Sequence, residues 1–103
     1  RGFEMSPAGV VKGEFVIRGE LGLHARPAGR FASRAGRFDC EVFISLGGPE
    51  DEWVNAQSVL SILSLAAAQG TRLCLRAEGA DAEEAIAVLG ALLEETEPVD
   101  GPV

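Results

Sequence analysis

Residues 22–37 read GLHARPAGRFASRAGR and contain the only histidine of the chain, His24. Ala28, Phe31, Ala32 and Ala35 recur at i, i+3, i+4 and i+7, which is one apolar stripe of a helix running from Ala25 to Arg37. Pro27 falls in the first turn of that helix, where its missing N–H costs little. His24 therefore sits at or near the N-cap. The first-turn amides project past it from the helix end, and the helix dipole adds partial positive charge there. Such a place binds anions, phosphate in particular.

Working outward from this helix, each neighbouring segment has a single apolar face. GEFVIR (13–18) precedes it as a strand with Phe15 and Ile17 on one side. CEVFISL (40–46) alternates as a strand, GGPED (47–51) is a turn, and EWVN (52–55) returns as the second arm of a hairpin. Asn55 to Ala68 reads as a second helix, ended by Gln69-Gly70. TRLCLRA (71–77) alternates again, and Asp81 with Glu84 has the spacing of a capping box that opens a third helix. The order is β-α-β-β-α-β-α. It predicts an α+β open-faced sandwich, a four-stranded antiparallel sheet with three helices on one face. The folded domain is expected over residues 12–95, with residues 1–11 and 97–103 as flexible termini.

Composition narrows the function. With 103 residues and 47% hydrophobic side chains, the chain can build one compact core. A net charge of −7 disfavours nucleic-acid partners, which need a basic footprint. No apolar run reaches the roughly 20 residues of a membrane span, and RGFEMSPAG lacks the apolar core of a signal peptide. A cytoplasmic location is expected, with no membrane partner. Cys40 shares the phase of Val42 and Ile44, whereas Cys74 is out of phase with Leu73 and Leu75, so the two thiols are expected on opposite sheet faces and unpaired. One histidine and two distant cysteines lack metal-site spacing, and neither a metal nor a cofactor is expected.

A neutral imidazole is a competent nucleophile near pH 7. A phosphoryl group carried on His24 would meet the helix-end amides, and Arg26 would add a charge-assisted contact to its oxygens. The same residues also fit a histidine that merely caps a helix. A small enzyme using His24 as base or nucleophile is a further alternative, but no serine or cysteine lies near it in sequence and Glu20 is the only acid close by. Arg26, Arg30, Arg34 and Arg37 form a stripe at spacings of 4, 4 and 3, which fits either a solvated face or a surface that steers acidic partners.

GLHARPA (22–28) resembles the active-site signature of the HPr family, the histidine phosphocarriers of the bacterial phosphoenolpyruvate-dependent phosphotransferase system. VNAQSVLSILSLAAAQGT (54–71) resembles the second-helix region of that family with its serine, and the element order agrees. ELGLHARPA and GRFDCEV look closer to the nitrogen-type branch than to the sugar-transport branch. The resemblance implies that His24 accepts a phosphoryl group on Nδ1 from enzyme I and passes it to an EIIA-type protein, with Arg26 stabilising the charge. It implies a carrier rather than an enzyme. A regulatory module that binds partners without relaying phosphoryl groups is the alternative. Ser58 matches the serine that an HPr kinase/phosphorylase modifies in some members, although it also suits a helix cap. Gln57 stands where lysine is common, and Glu50, Asp51 and Glu52 bring like charge nearby. The expected partner surface takes Arg30 and Arg34 from the charge stripe, and the resemblance adds Val59, Leu60 and Leu63, although some of these apolar residues also fit the core.

Overall fold

A computed structural model describes residues 4–5 and 9–95. Five antiparallel strands form one sheet: β1 (Glu4–Met5), β2 (Val10–Val16), β3 (Cys40–Ser45), β4 (Val54–Asn55) and β5 (Arg72–Gly79), in the spatial order β1-β2-β5-β3-β4. Three helices, α1 (Ala25–Ala35), α2 (Val59–Leu63) and α3 (Ala82–Glu94), complete the α+β open-faced sandwich. The four strands read from the sequence are all present. The fifth, β1, pairs Glu4 with Lys12 and Met5 with Val11 at the edge. Two residues are too few to show any periodicity, so sequence pattern has no means of marking it. Likewise β2 begins at Val10, earlier than GEFVIR indicates, because its partner β5 extends far enough to pair Val10 with Glu78. Residues 97–103 lie outside those described.

Alternation places the core. Val11, Phe15 and Ile17, Val42 and Ile44, and Leu73, Leu75 and Ala77 are all buried on the helix-bearing side of the sheet. Across from them lie Ala28, Phe31, Ala32 and Ala35 of α1, Ile62 of α2, and Ala82, Ala85, Ile86, Leu89 and Leu93 of α3, all buried. Helix α3 lies directly on β2, β5 and β3, and α1 packs against both α3 and α2. Gly90 makes the close approach of α3 possible, because a Cβ there would overlap the ring of Phe15.

Asp81 occupies the N-cap of α3, yet its carboxylate makes no capping bond to the helix. It accepts instead from the Asp39 amide at 2.7 Å, while the Asp81 amide donates to the Asp39 carbonyl at 3.2 Å. The capping-box spacing is thus put to another use: this two-way link ties the entry of β3 to the entry of α3. The second helix is also shorter than the 55–68 segment. Asn55 to Gln57 form an Asx turn in which Asn55 Oδ1 accepts from the Gln57 amide at 2.8 Å. Ser58 then caps α2, its Oγ accepting from the Ser61 amide at 3.2 Å. Downstream, Ala66 takes φ +52 and breaks the helix.

The opposite face of the sheet is polar and open. Arg76 there is stacked between Phe43 and Trp53, its guanidinium 4.7 Å and 4.9 Å from the two ring centroids. Arg76 Nε lies 3.2 Å from Glu78 Oε2 in a contact too bent to count as a hydrogen bond, which leaves that nitrogen buried with charge compensation only. Cys40 packs against the core while Cys74 alternates to the open face, so both thiols are free and face opposite ways. Burial raises the pKa of both thiols above the ordinary value. Asp81 and Asp39 add to this at Cys40, and Glu14 adds to it at Cys74.

Two substitutions test this packing with opposite signs. Gly90→Ala drives a methyl group into Phe15 and should lower unfolding stability by about 1–3 kcal/mol in urea titrations. Ala66→Gly relieves a left-handed backbone for a non-glycine residue and should raise stability by about 0.5–1 kcal/mol, once the extra freedom of the unfolded chain is subtracted. A neutral Gly90→Ala, or a destabilised Ala66→Gly, would contradict the packing described.

Candidate functional site

The segment that carries His24 is fixed from behind before α1 begins. Gly22 turns the chain with φ +73, and its amide donates to the Gly19 carbonyl at 3.0 Å. The Leu23 amide then donates to the Ala67 carbonyl at 2.9 Å. A Cβ at Gly22 would come within 2.5 Å of that same carbonyl oxygen and 2.9 Å of Ala68 Cα. Only glycine therefore satisfies both the backbone angle and the close contact. The segment after α2 and the loop before α1 are held together by this contact, with the Leu23 side chain buried beneath it.

His24 follows as the N-cap of α1, with an extended backbone (φ −88, ψ −170). Its carbonyl accepts from the Ala28 amide at 3.0 Å and starts the helix. Its imidazole makes no capping bond to α1. The ring is half-buried at the positive end of the helix dipole, and no acid occupies the first turn of α1 to neutralise it. Pro27 is the third residue of the helix, and Arg26 lies beside His24 on the exposed side of the first turn. The arrangement offers a nucleophilic nitrogen next to a helix end and a guanidinium, the components for holding a tetrahedral oxyanion.

The remaining residues read as a partner surface lie on two elements. Val59 and Leu63 are half-buried on α2, whereas Leu60 is 81% exposed. Leu60 is thus the member of the trio that the core does not absorb. Arg30 and Arg34 turn toward α3 and, with Gly29, Ser33, Arg37 and Leu92, line a surface groove. Arg30 also reaches Glu95, outside the groove lining, at 3.5 Å. Ser58 is half-buried, with its hydroxyl engaged in the α2 cap. Leu21, two residues before Leu23, is 74% exposed. Two features escaped the sequence reading. The clamp on Ala67 is signalled only by a glycine preceding the Leu23-His24 pair. The groove needs α3 as its second wall and has no signature within α1. Among the described residues, no group of three or more His, Cys, Asp or Glu side chains is placed to hold a metal ion, and no helix is long and apolar enough to cross a membrane.

Comparison with known proteins converges on one family. Residues 11–95 match the family described as the phosphotransferase-system HPr component phosphorylation site. The HPr-like protein Crh of Bacillus subtilis is 38% identical over 86 residues, which cover 84% of this chain and 98% of that protein. A multiphosphoryl transfer protein of Haemophilus influenzae is 41% identical over 85 residues, 82% of this chain, and there the chain spans only 17% of the relative's length. The crystal structure of a phosphocarrier protein HPr from Bacillus anthracis superposes with a TM-score of 0.75 at 36% identity, covering 82% of this chain and 98% of that one. A histidine at the N-cap of a clamped helix, in a sheet of this topology and with this breadth of sequence similarity, has one consistent reading: the chain belongs to the HPr family of phosphocarriers.

Proposed function

We propose that the chain relays a phosphoryl group through His24, taking it from enzyme I and passing it to a histidine of an EIIA-type protein. One observation supports this above the others: His24 occupies the N-cap of α1 while its imidazole makes no capping bond to the helix. The Nδ1 lone pair attacks phosphorus in line as the donor's phosphorus–nitrogen bond breaks, and the onward transfer reverses these roles. The protein contributes position and charge. The Gly22–Ala67 clamp holds the approach segment, the end of α1 faces the phosphoryl oxygens, and Arg26 adds a guanidinium. Arg30 and Arg34 draw acidic partners toward the site, with Leu60, Val59 and Leu63 as apolar contact beside it. The relay is placed in the cytoplasm.

A regulatory binding module is a second reading, favoured by the similarity to the HPr-like protein Crh over nearly its whole length. In that reading Ser58 is the modified residue, since a phosphate there would meet the start of α2. The exposed acids Glu50, Asp51 and Glu52 on the preceding turn oppose it.

Incubation with phosphoenolpyruvate and a bacterial enzyme I, read by intact mass, separates the two readings. The relay predicts one added phosphoryl group, stable in base and lost in acid, and absent from a folded His24→Ala variant. No label from several enzyme I paralogues would move the assignment to the binding module. Arg26→Ala should slow transfer about 10- to 100-fold with little change in unfolding stability, as expected for loss of one charge-assisted contact. Unchanged transfer kinetics would remove Arg26 from the site. Reversing Arg30 and Arg34 to glutamate should weaken partner affinity at low salt, with the difference shrinking as ionic strength rises. An effect independent of salt would contradict steering.

A further inference from the structure

The groove between α1 and α3 has a character that phosphoryl relay at His24 does not require. From Leu21 to Phe38 the chain contains four arginines and neither aspartate nor glutamate, within a protein of net charge −7. Neighbours at i, i+3 and i+4 on a helix sit about 5–6 Å apart, so the stripe repels itself at each step. Three of these arginines, Arg30, Arg34 and Arg37, converge on one groove of about 430 Å³, together with the Ser33 hydroxyl, the bare backbone of Gly29 and the side chain of Leu92. No carboxylate among the described residues lines it. Among the described residues, Arg34 and Arg37 are exposed and make no ion pair, and Arg30 has only the loose 3.5 Å contact to an exposed Glu95.

We propose that this groove binds a small polyanion bearing two or more phosphate groups. The volume falls in the range of small-molecule clefts. Arg30 and Arg34 stand one turn, about 6 Å, apart along α1 and Arg37 lies just past the helix end, a run that serves two separate anionic groups better than one. Guanidinium forks match phosphate oxygens in bidentate fashion, and Ser33 adds a neutral donor between them. The bare Gly29 backbone gives room at one end, and Leu92 supplies a short apolar wall. The Glu95 carboxylate occupies the Arg30 end when no ligand is present, and a bound phosphate group displaces it. The site shares Arg30 and Arg34 with the partner surface but includes neither His24 nor Arg26, and it does not rest on the relay.

Titration with pyrophosphate, followed by amide chemical shifts in ¹H–¹⁵N spectra, tests the proposal directly. Saturable shifts are expected at Gly29, Ser33, Arg34 and Arg37, with half-saturation below about 1 mM at low salt. Orthophosphate should bind at least about tenfold more weakly, and Arg34→Ala and Arg37→Ala should each lower pyrophosphate affinity about tenfold. Glu95→Gln should raise affinity, and His24→Ala should leave it unchanged. Both arginines are exposed, so dispersed spectra of the variants verify folding. The proposal is overturned by shifts that centre on His24 to Ala28 and vanish in His24→Ala. Equal binding of orthophosphate, indifference to Arg37→Ala, or an oligoglutamate peptide that binds the groove more tightly than pyrophosphate would also overturn it.

Discussion

A single backbone hydrogen bond, from the Leu23 amide to the Ala67 carbonyl, sets the geometry on which the rest of the site depends. It joins the loop before α1 to the segment after α2, two stretches far apart in sequence. It forms only because Gly22 has no side chain to strike Ala67 and no Cβ to oppose a φ of +73. Ala66 accepts the left-handed region immediately before, so both partners in the contact carry unusual backbone. Once Leu23 is fixed and buried, His24 has little choice of position, and α1 starts where the apolar stripe of Ala28, Phe31, Ala32 and Ala35 can reach the core. Strain at the joint is balanced by burial along the helix that follows.

The fold separates stability from chemistry. Apolar residues of three strands and three helices fill one layer. The groups able to handle anions sit at the N-terminus and on the outer stripe of one helix, which carries three arginines, with Arg37 just past its end, in an otherwise acidic chain. None of those guanidiniums is buried, so the charge costs little desolvation and can act on approaching partners at a distance. On the far side of the sheet, Arg76 between Phe43 and Trp53 shows a basic residue put to structural use, with aromatic faces and Glu78 offsetting its charge.

Much of this was legible in the chain because period-2 and period-3.6 patterns are direct consequences of one-sided burial. Phe15 and Ile17, Val42 and Ile44, and Leu73, Leu75 and Ala77 marked their strands, and the α1 stripe marked its helix without ambiguity. The N-cap position of His24 followed from Pro27 in the first turn. What failed to show was whatever depends on a distant partner. β1 exists through its pairing with Lys12 and Val11 and has no pattern of its own. Asp81 has the spacing of a capping box, but its carboxylate is taken by the Asp39 amide, a competitor invisible in the local sequence. The apolar run of the second helical segment is compatible with a long helix, whereas the structure ends it at Leu63 and turns it at Ala66, whose backbone is left-handed, ahead of the contact at Ala67. The groove beside Arg30 and Arg34 appears only when α3 brings Leu92 across.

The account stands or falls on where the phosphoryl group resides and what it touches. Long-range ¹H–¹⁵N and ³¹P spectra of the ¹⁵N-labelled chain, recorded after incubation with phosphoenolpyruvate and enzyme I, answer both questions at once. The expected result is a phosphoryl group on Nδ1 of His24, with the Ala25 and Arg26 amides moving downfield as they donate to its oxygens. A phosphoryl group on Nε2 or on another residue, or one on His24 that leaves the amides of the first α1 turn unmoved, would contradict the helix-end mechanism.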